Sequence, residues 1–168
     1  MSIIIPIRSG QGTGITPGTA YWNAHFEAGT GELTYIKTNA LLPGNQTIHF
    51  ERTSEPLGNF GDIAYCFMAK IVGNKQGEYH AGIAYLENKD DGRGVLLKGT
   101  ARTSVNLNDQ FAKEYDYMER KLGHGWGIQT FTAAAESDGK TYASALVIAV
   151  LGIVPAQEWY EQHGVREH

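Results

Sequence analysis

The chain has 168 residues and a formal charge of −4, so one domain is the expectation, with a core burying roughly 70% of the unfolded surface. That balance leaves no electrostatic footprint for nucleic acid. The lone Cys66 excludes an intramolecular disulfide and suits a reducing cytoplasm. The N-terminal MSIIIPIRSG is too short an apolar run for a signal peptide, and Ala143 to Pro155 falls below the ~18 residues that span a membrane.

In chain order, residues 1–15 hold a strand candidate, Ile3 to Ile7, followed by the Gly-rich SGQGTG. That segment lacks the Lys-Ser/Thr ending of a phosphate loop and reads as a flexible turn. Thr16 is a good N-cap, Pro17 suits the first helical position, and Ala20, Tyr21, Ala24 and Ala28 recur at helical spacing. Gly29 stands where a left-handed C-terminal cap belongs. A strand follows from Leu33 to Thr38, and the run ends at Pro43. Thr47 to Arg52 reads as a short edge strand. Ile63 to Val72, Tyr79 to Leu86 and Val95 to Thr103 read as strands separated by the turns GNKQGE and NKDDGRG.

A second helix is predicted from Asn106 or Asn108. Phe111, Tyr115, Met118 and Leu122 make one apolar stripe for packing on a sheet, and Gly123 stops it. Gly127 to Ala135 and Tyr142 to Val154 read as two more strands joined by ESDGK. The tail, residues 155–168, reads as a short helix. Strands and helices do not alternate strictly, which argues for α+β layers and a mostly antiparallel sheet.

Metal and hydrolase signatures are missing. His49, His80, His124, His163 and His168 show no ligand spacing. The Asp90-Asp91 pair sits in a turn with too few oxygen ligands for calcium. Ser9, Ser54, Ser104, Ser137 and Ser144 lack nucleophile-elbow context.

The stretch TPGTAYWNAHFEAGTGELTYIKTNALLP, Thr16 to Pro43, resembles the pyruvoyl-dependent arginine decarboxylases. That family carries a Thr-Pro helix, an Ala-Gly-x-Gly turn and a strand running into a Ser-Ser or Thr-Ser pair, two apolar residues and Pro. Thr16, Pro17, Ala20, Ala24, Ala28, Gly29, Gly31, Ile36, Leu41 and Pro43 stand where matching or similar family residues would. The likeness continues through GNFGDIAY, NKQGE, GVLL and the apolar end near Ala143 to Ala149. It implies an αββα sandwich, a trimer or dimer of trimers, and active sites between neighbouring subunits.

The departures bear on chemistry. In the family the second Ser of the pair starts self-cleavage and becomes the pyruvoyl group; here the pair is Asn39-Ala40. Ala40 has no hydroxyl, so no pyruvoyl cofactor is expected. Lys98 takes the place of the proton-donating Glu, Trp22 that of the Asp holding the guanidinium, and Thr34 that of an Asn. His25 replaces an apolar residue.

Lys98 and His25 are therefore the candidate catalytic residues, and Trp22, Thr34, Asn39 and Ala40 the candidate substrate-binding positions. Lys98 in an apolar pocket could form a Schiff base; the competing reading is a strand lysine snorkelling to water. His25 could move a proton near neutral pH, or pack in the core on one hydrogen bond. Trp22 could close the guanidinium space, stack a flat ligand, or serve as plain core. The resulting expectation is a decarboxylase-like protein repurposed for another small-molecule reaction in an inter-subunit pocket. The alternatives are an inactive homologue serving as a binding or partner subunit and, more poorly, an ordinary decarboxylase.

Overall fold

A computed structural model describes residues 3–39 and 41–164; Ala40 and His168 lie outside the described residues. The first strand, β1 (Ile3–Gly14), runs straight through the Gly-rich segment that the sequence suggests is a turn. Its partner explains why. Helix α1 (Pro17–Glu27) lies directly on the strand. A Cβ at Gly10 would come 2.0 Å from the Ala24 carbonyl oxygen. One at Gly12 would come 2.4 Å from both Ala20 O and Ala24 N, and one at Gly14 2.7 Å from Ala20 N. Glycines at every second position thus clear one strand face for a helix whose own facing residues, Ala20 and Ala24, are small and fully buried.

Thr16 caps α1 by accepting a hydrogen bond from the Thr19 amide at 3.1 Å. Gly29, at φ 69°, turns the chain off the helix. The later elements are β2 (Thr34–Lys37), β3 (Leu41–Leu42), β4 (Gln46–Glu51), β5 (Ile63–Gly73), β6 (Gly77–Asn88), β7 (Gly94–Ala101), α2 (Ser104–Leu122), β8 (Trp126–Ser137), β9 (Tyr142–Val154) and α3 (Ala156–Gln162). Helix α2 starts earlier than the sequence suggests. The hydroxyl of Thr103 accepts from the Asn106 amide at 3.1 Å and sets the cap there.

One sheet has the order β2-β5-β9-β1-β4 and the other β3-β7-β6-β8. Only β1–β4 and β2–β5 pair in parallel; the remaining pairs are antiparallel. The two sheets face each other across Ile5, Ile7, Tyr79, Ala81, Ile83, Tyr85, Leu96 and the alternate residues Ala143 to Ala149. On the outer face of the five-stranded sheet, Ala24 and Ala28 pack on Cys66, Met68, Leu146 and Ile148. On the outer face of the other, Leu107 and Phe111 pack on Ala84, Leu86 and Val95, with Tyr115 and Met118 beside them. The layers are helix, sheet, sheet, helix: the α+β sandwich expected of the sequence. Leu122 departs from the predicted stripe and is 46% exposed. Helix α3 closes over the end of β5, where the Ala156 amide donates to Asp62 at 3.2 Å and Trp159 Nε1 to the Tyr65 hydroxyl at 3.3 Å.

Candidate functional site

Where β2 ends, the five-stranded sheet becomes accessible from its edge. The parallel pairing of β2 with β5 sets Lys37 opposite Cys66, and the Thr38 amide then donates to the Cys66 carbonyl at 2.9 Å. Beyond that point a cavity of about 350 Å³ opens, lined by Lys37, Met68, Ala69, Lys70, Lys98, Gly99, Thr100 and Gln110. It draws on β2 and β5 of one sheet, β7 of the other and helix α2.

Three cations meet at this edge by different routes. Alternation along β5 puts Cys66 and Met68 under α1, and Lys70 shares their face, its ammonium 4.2 Å from the centroid of the Tyr21 ring on α1. Phe67 turns toward the other sheet, and the Lys98 ammonium stands 5.5 Å from the centroid of its ring. Lys37 ends β2. Desolvation, and then the charge of Lys37, lower the pKa of Lys70 from its ordinary value. Among the described residues, no ion pair engages any of the three lysines. The lining includes no carboxylate.

Behind Lys70 lies an aromatic cluster centred on His25. This side chain is completely buried. Its Nδ1 is 2.9 Å from the Thr30 hydroxyl. Its ring meets Tyr21 edge-on at 4.4 Å and stacks on Tyr35 at 4.6 Å. Nε2 is buried without a hydrogen-bond partner. The Tyr35 hydroxyl donates to the Thr30 carbonyl, and that of Tyr21 points to Met68 Sδ at 3.8 Å. Burial, and secondly Lys70, push the His25 pKa down to about 3. The imidazole is thus neutral at pH 7 and far from the range in which a histidine exchanges protons readily. Burial also raises Tyr35, and it pushes the Cys66 thiol up to about 11.

Of the residues singled out from sequence, Lys98 lines the cavity, but it is exposed, as are Lys37 and Lys70. It reaches water from a largely polar wall and is not held in the apolar pocket expected of a Schiff-base lysine. His25 lies behind the cavity, linked through Tyr21 and Lys70. Trp22 is 47% exposed on α1 and meets Phe26 at 6.1 Å, so it is a surface ring and not plain core. Thr34 and Asn39 are exposed, and neither is among the lining residues. Ala40 lies outside the described residues. Lys37 and Lys70 were not legible as site residues. They are 33 positions apart, and only the β2–β5 pairing joins them. Among the described residues, no group of three His, Cys, Asp or Glu side chains is placed to hold a metal ion, and no helix is long and apolar enough to cross a membrane.

No family model matches the chain. It is similar, however, to the pyruvoyl-dependent arginine decarboxylase of Methanothermobacter thermautotrophicus, at 32% identity over 115 residues, covering 68% of this chain and 74% of that protein. The α+β sandwich and this extended identity lead to one conclusion: the chain belongs to the pyruvoyl-dependent arginine decarboxylase family.

Proposed function

We propose that this family member carries no pyruvoyl group and uses the lysine-lined cavity, completed by a neighbouring subunit, for a different small-molecule reaction. The observation that carries this reading is the side-chain chemistry of the segment following β2. A pyruvoyl group is built from a serine, whose hydroxyl attacks and then leaves. Residues 38–43 read Thr-Asn-Ala-Leu-Leu-Pro, and no serine lies between Ser9 and Ser54. The hydroxyl of Thr38 donates to the Cys66 carbonyl at 3.4 Å, and its extra methyl would give a different keto acid. The residues do not fit the group.

Lys98 is then the reacting residue in the cavity. It serves either as an amine that condenses with a substrate carbonyl, releasing water, or as a cation facing developing negative charge. Lys37 and Lys70 add positive potential beside it, which supports the second role. Thr34 and Asn39 flank the cavity along the chain and would orient a polar substrate, and Trp22 would shape the approach from a neighbouring subunit. His25 enters as a neutral imidazole that holds Tyr21 and Tyr35 in place. The assembly is a trimer or dimer of trimers, and the lone, buried Cys66 suits a cytoplasmic setting.

Borohydride trapping with pyruvate tests the amine role. Selective reductive modification of Lys98, with exposed Lys113 unmodified, supports it; equal modification of both rejects it. Cleavage of the chain near residue 40, or agmatine formation at an ordinary turnover, overturns the whole reading, because it restores the ordinary decarboxylase.

A second reading is an inactive partner subunit. It is favoured by the deep burial of His25 and by the position of Trp22, Thr34 and Asn39 outside the cavity lining. Mixed assembly with an active decarboxylase, together with unchanged behaviour of a Lys98→Met variant, would select it.

A further inference from the structure

The same cavity carries a statement about its ligand, resting on the reading that this is the small-molecule site. Three ammonium groups, from β2, β5 and β7, surround one space of about 350 Å³. Among the described residues, no ion pair engages them and no carboxylate lines the wall. Glu114, which accepts from Gln110 Nε2 at 3.3 Å, is not a lining residue. Like charges gathered without a partner repel one another. Lys37 already acts on Lys70 in this sense. An anion placed among them reverses that repulsion into attraction.

The uncharged part of the wall fits the same conclusion. Thr100 brings a hydroxyl that can donate. Gln110 is held over Gly99, where an added Cβ would approach Gln110 Oε1 to 2.9 Å and Leu107 Cδ1 to 2.8 Å. Gly99 therefore lets α2 lie close on β7 and brings Gln110 to this edge. The aliphatic contribution is small, from Met68 and Ala69. Such a lining, in a volume within the ordinary range for small-molecule sites, selects charge and not bulk.

We infer that the Lys37–Lys70–Lys98 cavity binds a small polyvalent anion, a ligand bearing a phosphate or two or more carboxylates. Monovalent acids lose most of the benefit, because a single negative charge offsets only part of the positive potential of three lysines. The test is calorimetric titration of the intact protein at low ionic strength with inorganic phosphate, citrate and acetate.

Phosphate or citrate should bind at least about tenfold more tightly than acetate. Lys37→Met, Lys70→Met and Lys98→Met, which keep the stems, should each weaken that binding about fivefold or more, and raised salt should weaken it further. Lys113→Met, which removes an exposed helix charge outside the cavity, should leave it unchanged. Equal affinity for acetate and citrate overturns the inference. So does an equal loss in Lys113→Met, which would mean diffuse attraction to the surface. If the three variants abolish binding of a single-stranded RNA while phosphate and citrate do not bind the parent protein, the ligand class is wrong. Failure here, with an intact chain and no agmatine formed, leaves the wider functional reading standing. A cleaved chain that still binds citrate through the three lysines would do the reverse.

Discussion

The ammonium of Lys70 lies 4.2 Å from the centre of the Tyr21 ring, and that same ring packs T-shaped with His25, their centroids 4.4 Å apart. A cation at the cavity mouth is thereby coupled to a buried imidazole through one aromatic side chain. The neutral state of His25 follows first from burial and then from this charge.

That state sets a pH dependence. The His25 pKa falls from 6.5 to about 3 on folding, so between these values the unfolded chain holds a proton that the native chain refuses. Stability is fully present above pH 6.5 and declines as pH falls toward 3, by at most about 1.4 kcal/mol per pH unit from this group. Denaturant midpoints at pH 7 and pH 5 should differ in this direction. His25→Phe should flatten the difference, and an unchanged slope in that variant would reject the assignment.

The contact between β1 and α1 predicts a sharp contrast between two glycines. Gly12→Ala drives a methyl against helix backbone at 2.4 Å and should cost about 3 kcal/mol, lowering Tm by roughly 6–12 °C. Gly18→Ala meets nothing nearer than Thr16 Oγ1 at 3.9 Å and should be neutral or slightly stabilising. Thermal melts of both variants decide it; similar Tm values would contradict the packing.

Cys66 is fully buried and its thiol is pushed up to about 11. Little thiolate exists at neutral pH, and reagents cannot reach it. Labelling with a thiol-specific disulfide at pH 8 should be slow in the native protein and rapid in denaturant. Rapid native labelling would show that α1 lifts readily from the sheet.

On the proposed chemistry, the purified protein should give one full-length mass near 18.4 kDa. It should form no agmatine from arginine, since decarboxylation without an electron sink leaves an unstabilised carbanion. Ala40→Ser alone is expected to remain uncleaved, because Asn39 differs as well. Two fragments meeting near residue 40 in the parent protein would overturn the proposal.

A cavity that a neighbouring subunit completes also requires assembly. Light scattering at micromolar concentration should return a closed trimer or a dimer of trimers. A monomer would count against both the assembly and the shared site.

Much of the architecture was legible because its signals are local. The Thr16-Pro17 start, the small residues of α1 and the apolar stripe of α2 each announce an element through spacing along a few turns. The misread segment, residues 9–14, carried its signal too, in glycines at alternate positions opposite alanines at helical spacing. Seen alone, such glycines mean flexibility; only a helix docked on them makes them a strand. The candidate site was less legible. Lys98 was singled out through its place in the family pattern, whereas Lys37 and Lys70 carry no local mark.

The sequence by itself determined the kinds of elements, the small-residue face of α1 and the serine-free run Thr-Asn-Ala-Leu-Leu-Pro at residues 38–43. Tertiary structure decided the rest. The parallel pairing of β2 with β5 brings Lys37 near Lys70, and the opposed sheets bring Lys98 to the same edge. Burial turns His25 from a titrating base into a neutral support. Charge proximity and desolvation depend on distances across the fold, and such distances are set by strand pairing and layer packing rather than by the order of residues along the chain.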